Sequence, residues 1–124
     1  MRHLAVICSL AVTMLATPTT SQAKTTPGWN RGVAQPELVA RIARQVFGRR
    51  AATAECIAHW ESTDGAHLYN GTSLGPWQVD VQAHPWVSAR RIVRDWLYAA
   101  KVAYRISRGG TDWSAWGTHD LCGV

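Results

Sequence analysis

The sequence predicts a mainly α fold of the α+β kind: three main helices with a small β or extended insertion and one disulfide. Three observations carry that expectation. Apolar residues recur at helical spacing in three stretches. The stretch between the second and third is broken by glycine and asparagine turns around a short alternating run. Two cysteines remain once an N-terminal export segment is set aside. With 124 residues, 47% of them hydrophobic and 17% charged, the chain fits one small domain and excludes a multidomain machine.

The first 23 residues read as a signal peptide rather than as fold. Arg2 supplies a positive start, Leu4 to Leu15 is an apolar run, and Ser21-Gln22-Ala23 has the small-x-small form of a cleavage site. The apolar run falls well short of the roughly 20 residues a membrane span needs, so no membrane anchor is expected after cleavage. The product is expected to be secreted and basic, since Arg2 is the one charge removed from a chain of formal charge +5. Cys8 leaves with the signal, and Cys56 and Cys122 form an even pair in an exported chain, which reads as a structural bridge. Closing so long a loop is worth about 4 kcal/mol in the chain-entropy account.

Residues 24–35, rich in Thr, Pro, Gly and Asn, read as a flexible leader, and the domain is expected over 36–124. Pro36 and Glu37 suit a helix start, and Leu38, Val39, Ile42 and Val46 follow at helical spacing until Gly48. A second helix is predicted from about Ala52 to Ser62, with Thr53 available as a cap and Ala54, Ile57, Ala58 and Glu61 on one face. Asp64-Gly65, Asn70-Gly71 and Gly75-Pro76 then punctuate a loop-rich middle, where Trp77, Val79 and Val81 alternate as in an extended segment. The longest helix is predicted from Ser88 to Ser107 on the stripe Ile92, Trp96, Ala99, Ala103 and Ile106, ended by Gly109-Gly110.

Glu61 is the odd member of its face. A carboxyl there should be desolvated, which raises its pKa and makes it a proton donor of the kind glycosidic cleavage needs. On periodicity alone a structural ion pair is the better account of such a residue.

The surroundings shift that balance. Cys56-Ile57-Ala58-His59-Trp60-Glu61-Ser62, then Gly75-Pro76-Trp77-Gln78-Val79 and His84, resembles the Glu-Ser and Gly-x-x-Gln motifs of the lysozyme-like superfamily, in particular the soluble lytic transglycosylase-like domains. Asp95-Trp96-Leu97-Tyr98-Ala99-Ala100, Gly109 to Trp116 and the closing Cys122 are similar to the tail of its short secreted members, so the resemblance covers Pro36 to Cys122. It departs from the usual pattern at Asp95, where Asn is common, and at Pro76.

The resemblance implies a glycan cleft formed at the insertion. Glu61 is its acid/base, and Ser62, Gly75, Trp77 and Gln78 are its substrate-binding residues. It implies peptidoglycan glycan strands as the partner, cleavage of the MurNAc-β-1,4-GlcNAc bond to 1,6-anhydro ends, and no cofactor. A hydrolase would add a second carboxylate, for which Asp64 and Asp80 are the candidates. Trp77, beside Gln78, is expected to stack on a sugar, and Trp96 to lie in the core.

His59, His67, His84 and His119 match no zinc signature, so no metal is expected. The cationic face of the long helix, with Arg49-Arg50, suits anionic wall polymers or simple solvation, and export argues against nucleic acid. A monomer is expected. The reading from another class is a non-catalytic cationic wall-binding or antimicrobial module.

Overall fold

The computed structural model describes residues 32–124; the signal-peptide reading and most of the leader lie outside the described residues. Helix α1 (Pro36–Phe47) passes through a 3-10 turn (Gly48–Arg50) directly into α2 (Ala51–Ser62). Strands β1 (Tyr69–Asn70), β2 (Ser73–Leu74) and β3 (Val79–Asp80) follow, then helices α3 (Ala89–Arg94) and α4 (Trp96–Ile106), and a closing 3-10 turn (His119–Cys122). Among the described residues no helix is long and apolar enough to cross a membrane.

α1 forms where its pattern says it should. Proline opens it, Glu37 lies in the first turn, and Val39, Ile42, Ala43 and Phe47 are buried. α2 starts at Ala51, one residue before the expected start, and receives no side-chain cap; the Ala51 amide instead donates to the Gly48 carbonyl of the 3-10 turn. Thr53 is therefore an ordinary helical residue and not the cap.

The predicted third helix is two. Asp95 has extended backbone (φ −116°, ψ 90°), and its Oδ1 accepts from the Tyr98 amide at 2.9 Å, so it ends α3 and caps α4. A capping side chain competes with helix continuation at its own position, which is why the apolar stripe ran through a break it could not reveal. Ile92, Trp96, Ala99 and Ala103 are all buried, as that stripe requires.

The three strands form an antiparallel sheet in sequence order, Tyr69 opposite Leu74 and Leu74 opposite Val79. The core lies between α1, α2 and α4. Phe47 is its aromatic hub, with ring centroids 6.3 Å from Trp77, 5.5 Å from Tyr104 and 5.6 Å from Trp113. Cys56 on α2 is bonded to Cys122, with Cα atoms 5.8 Å apart. The last part of the segment read as leader is tied down: the Gly32 amide donates to the Ala66 carbonyl and the Gln35 amide to that of Asp64.

Candidate active site

Glu61 stands in the last turn of α2, where the buried face of Ala54, Ile57 and Ala58 reaches the surface. It is half-buried, not interior as its periodicity suggested, while Ala58 and Ser62 in the same turn are buried. Its Oε1 accepts a hydrogen bond of 2.6 Å from the Thr118 hydroxyl. No ion pair engages it among the described residues, so the structural salt bridge is not its role.

Glu61 lines a cavity of about 290 Å³. The sheet supplies Ser73, Val79 and Asp80, the turn before β3 supplies Gln78, and Ala83 and His84 lie just beyond. α4 supplies Ile106, and the C-terminal segment supplies Ala115, Trp116 and Gly117. A larger hollow of about 540 Å³ lies against Leu38, Ile42, Leu68 and Trp96, but its carboxylate, Asp95, is occupied as the cap of α4.

Gln78 is buried with a left-handed backbone (φ 44°). Its Nε2 donates to the carbonyls of His67 (2.9 Å) and Gly75 (2.8 Å), which orients the amide and leaves Oε1 buried without a donor among the described residues. An acceptor left unmet in the interior is uncommon, and here it is the cost of fixing the amide through its Nε2.

Of the two candidate second carboxylates, only Asp80 reaches this cavity. Its Oδ1 accepts from the amides of Gln82 (2.9 Å) and Ala83 (3.3 Å). The Gln82 bond first, then that of Ala83, holds its pKa below the ordinary aspartate value, with smaller help from Thr72 and His84. Asp64 instead meets His59 Nδ1 at 3.0 Å and does not line the cavity. No group of three or more His, Cys, Asp and Glu side chains suited to a metal occurs among the described residues.

Three expected substrate contacts lie behind the wall. Trp77 is fully buried, its Nε1–H donating to the Ala54 carbonyl at 2.9 Å, so neither ring face is open to a sugar. A position flanked by Gly75-Pro76 and the buried Val79 is drawn inward with them, which the alternation could not distinguish from a cleft-facing one. Among the described residues the exposed indoles are Trp60, one residue before Glu61, and Trp86, whose ring meets His84 edge to face at 5.9 Å and carries the Arg105 guanidinium over it at 4.4 Å. Ser62 is buried, its hydroxyl donating to the Ala58 carbonyl and accepting from the Gly65 amide, so it shapes the turn after α2. Gly75 is buried too, and holds Gln78 through its carbonyl.

Sequence reasoning missed Thr118 and the Ala115–Gly117 wall. The bridge carried the signal. Cys56 lies one helical turn and a residue before Glu61, and Cys122 four residues after Thr118, so their pairing brings Thr118 toward Glu61.

Residues 39–118, well over half of the chain, match the family described as lysozyme-like domain. Against curated proteins and against solved structures the chain has no significant match. With its helical frame, short sheet and disulfide, the chain belongs to the lysozyme-like domain family.

Proposed function

We propose that the protein is a secreted lytic transglycosylase that cleaves the MurNAc-β-1,4-GlcNAc bond of peptidoglycan, with Glu61 as its single acid/base. Its family is one of peptidoglycan-acting glycosidases and transglycosylases. One observation carries the reading. Glu61 is a carboxyl with no ion-pair partner among the described residues, half-open in the wall of a polar cavity, and steadied by a hydroxyl.

In this mechanism the Glu61 carboxyl gives its proton to the leaving O4 as the C1–O4 bond breaks and positive charge develops at C1. The N-acetyl group of the muramic sugar shields C1. The resulting carboxylate takes the proton of O6, which closes on C1, so the enzyme ends as it began and water is not consumed. Gln78 lines the same cavity, opposite the helix that carries Glu61.

Asp80 favours a second reading, a muramidase-type hydrolase, because it lines the same cavity. Its lowered pKa weighs against that role. A carboxylate held ionised by two backbone amides is a poor base for activating water, though its charge still steadies a developing cation.

Digestion of purified peptidoglycan by the protein and by Glu61→Gln, with the released muropeptides weighed, tests the proposal. Anhydro products from wild type alone support it. Products heavier by one water, at reducing ends, make the protein a hydrolase and direct attention to Asp80→Asn. A folded protein that sediments with the wall and releases nothing leaves the binding module.

A further inference from the structure

Thr118 occupies an unusual place for a residue with no role in the core. Its hydroxyl makes the one hydrogen bond that the Glu61 carboxyl receives among the described residues, at 2.6 Å across 57 positions of sequence. The segment that carries it is fastened on both sides. Before it, Trp116 donates its Nε1–H to the Trp77 carbonyl at 2.6 Å, and the His119 ring meets the Trp116 carbonyl at 2.6 Å. After it, the Leu121 amide donates to the Thr118 carbonyl at 3.0 Å, and Cys122 is bonded to Cys56 on the helix that carries Glu61.

We propose that Thr118 is a positioning residue for the Glu61 acid, and that the Cys56–Cys122 bridge keeps it there. The inference rests on the reading of Glu61 as the acid/base. An unrestrained carboxyl presents either oxygen to substrate. A hydroxyl that donates to Oε1 leaves Oε2 as the oxygen bearing the transferable proton. As that proton leaves, the Thr118 bond becomes charge-assisted and strengthens. An interaction that is stronger in the transition state than in the bound substrate raises kcat and leaves KM alone.

The experiment compares kcat and apparent KM on soluble glycan strands for wild type, Thr118→Val, Thr118→Ser and Glu61→Gln, each checked for folding by near-ultraviolet circular dichroism. Valine keeps the shape and loses the hydroxyl; serine keeps the hydroxyl. Thr118→Val is expected to lower kcat about ten- to hundred-fold with KM unchanged, and Thr118→Ser to restore most of it. Should valine disturb folding, Thr118→Ala carries the same comparison.

The bridge is tested with Cys56→Ser/Cys122→Ser, alone and combined with Thr118→Val. If the bridge acts through Thr118, the two changes together lower kcat no further than Thr118→Val alone. Additive losses overturn that part. A folded valine variant with kcat near wild type, or one changed in KM only, overturns the role of Thr118 while inactive Glu61→Gln upholds the acid/base reading. An active Glu61→Gln overturns both.

Discussion

The helices and the cleft wall of this protein are held in place by different means. Each of α1, α2 and α4 is seated by several buried apolar residues: Val39, Ile42, Ala43 and Phe47 on the first, Ala54, Ile57 and Ala58 on the second, and Ala99, Ala100, Val102 and Ala103 on the last. The wall facing Glu61 has strands of two residues each and a C-terminal segment with little regular structure. It is held by single devices: the Trp77 and Trp116 indole N–H groups, the Gln78 amide, the Gly75 turn and the disulfide. Burial distributed over many side chains tolerates loss of any one, whereas a device used once has no substitute. Damage to the helices should appear as lost stability, and damage to the wall as lost activity.

Trp77 breaks that division, because it belongs to both regions. Its ring packs in the core, its N–H reaches the α2 carbonyl of Ala54, and its own carbonyl receives Trp116. Trp77→Ala is expected to lower unfolding free energy by about 3–5 kcal/mol, a large share of what a small domain has, and to abolish muropeptide release with it. Urea unfolding followed by circular dichroism checks the first, and the digestion assay the second. Trp77→Phe keeps a ring and loses the N–H. Ala54 lies within α2, so removing this donor should remove only about 1 kcal/mol. A Trp77→Ala protein as stable as wild type would mean that Trp77 lies outside the core.

The same division explains what could be read from the sequence. Helix periodicity identified α1, α2 and the stripe of α4 because repeated burial leaves a repeated pattern. The disulfide followed from counting cysteines in a chain read as exported. The wall leaves no periodic trace: Trp77 and Gln78 are neighbours in sequence and both are buried, yet only Gln78 reaches the cavity. Thr118 is distant from Glu61 in sequence and meets it through a tail fastened by the disulfide and by the Trp116 indole. The break at Asp95 was hidden because a cap alters one residue and leaves the apolar stripe intact.

Gly75 sharpens the comparison. Its backbone is left-handed (φ 78°), and a Cβ there would meet the Ile92 carbonyl oxygen at 2.6 Å, backbone that cannot yield without moving α3. Gly71, at the tip between β1 and β2, has a similar φ of 61° with open space around it. Gly71→Ala should therefore lose only the conformational term, about 1–2 kcal/mol. Gly75→Ala should lose more, about 2–3 kcal/mol, and also reduce kcat/KM, since the Gly75 carbonyl orients Gln78. Thermal unfolding and digestion kinetics on the pair separate backbone strain from the effect of crowding. Equal losses in the two variants would show that the Ile92 contact carries no weight.

Asp95 belongs to the helical side alone and should give the smallest effect. It does not line the cavity of Glu61, so its variants should unfold more easily and retain kcat. The Tyr98 amide bond is the largest influence holding its carboxyl below the ordinary aspartate pKa; burial opposes it next, and the Arg91 guanidinium at 3.2 Å and Lys101 add to the lowering. A folded-state pKa below the unfolded one means that the stabilisation is complete above the ordinary aspartate range and is lost as pH falls through the lowered value. Asp95→Ala should lose about 1 kcal/mol at neutral pH. Asp95→Asn keeps a neutral cap of similar strength and should lose only the exposed Arg91 pair, about 0.3–0.5 kcal/mol. Its acid limb should be flatter than that of wild type, because asparagine does not titrate. Stability curves of the three proteins from pH 2 to 7 check this. An asparagine variant with an unchanged acid limb would assign the acid sensitivity to Asp80 and Asp112, whose pKa values are also lowered by backbone and side-chain donors. Acid loss would then arise in the wall and the tail, the regions held by single contacts.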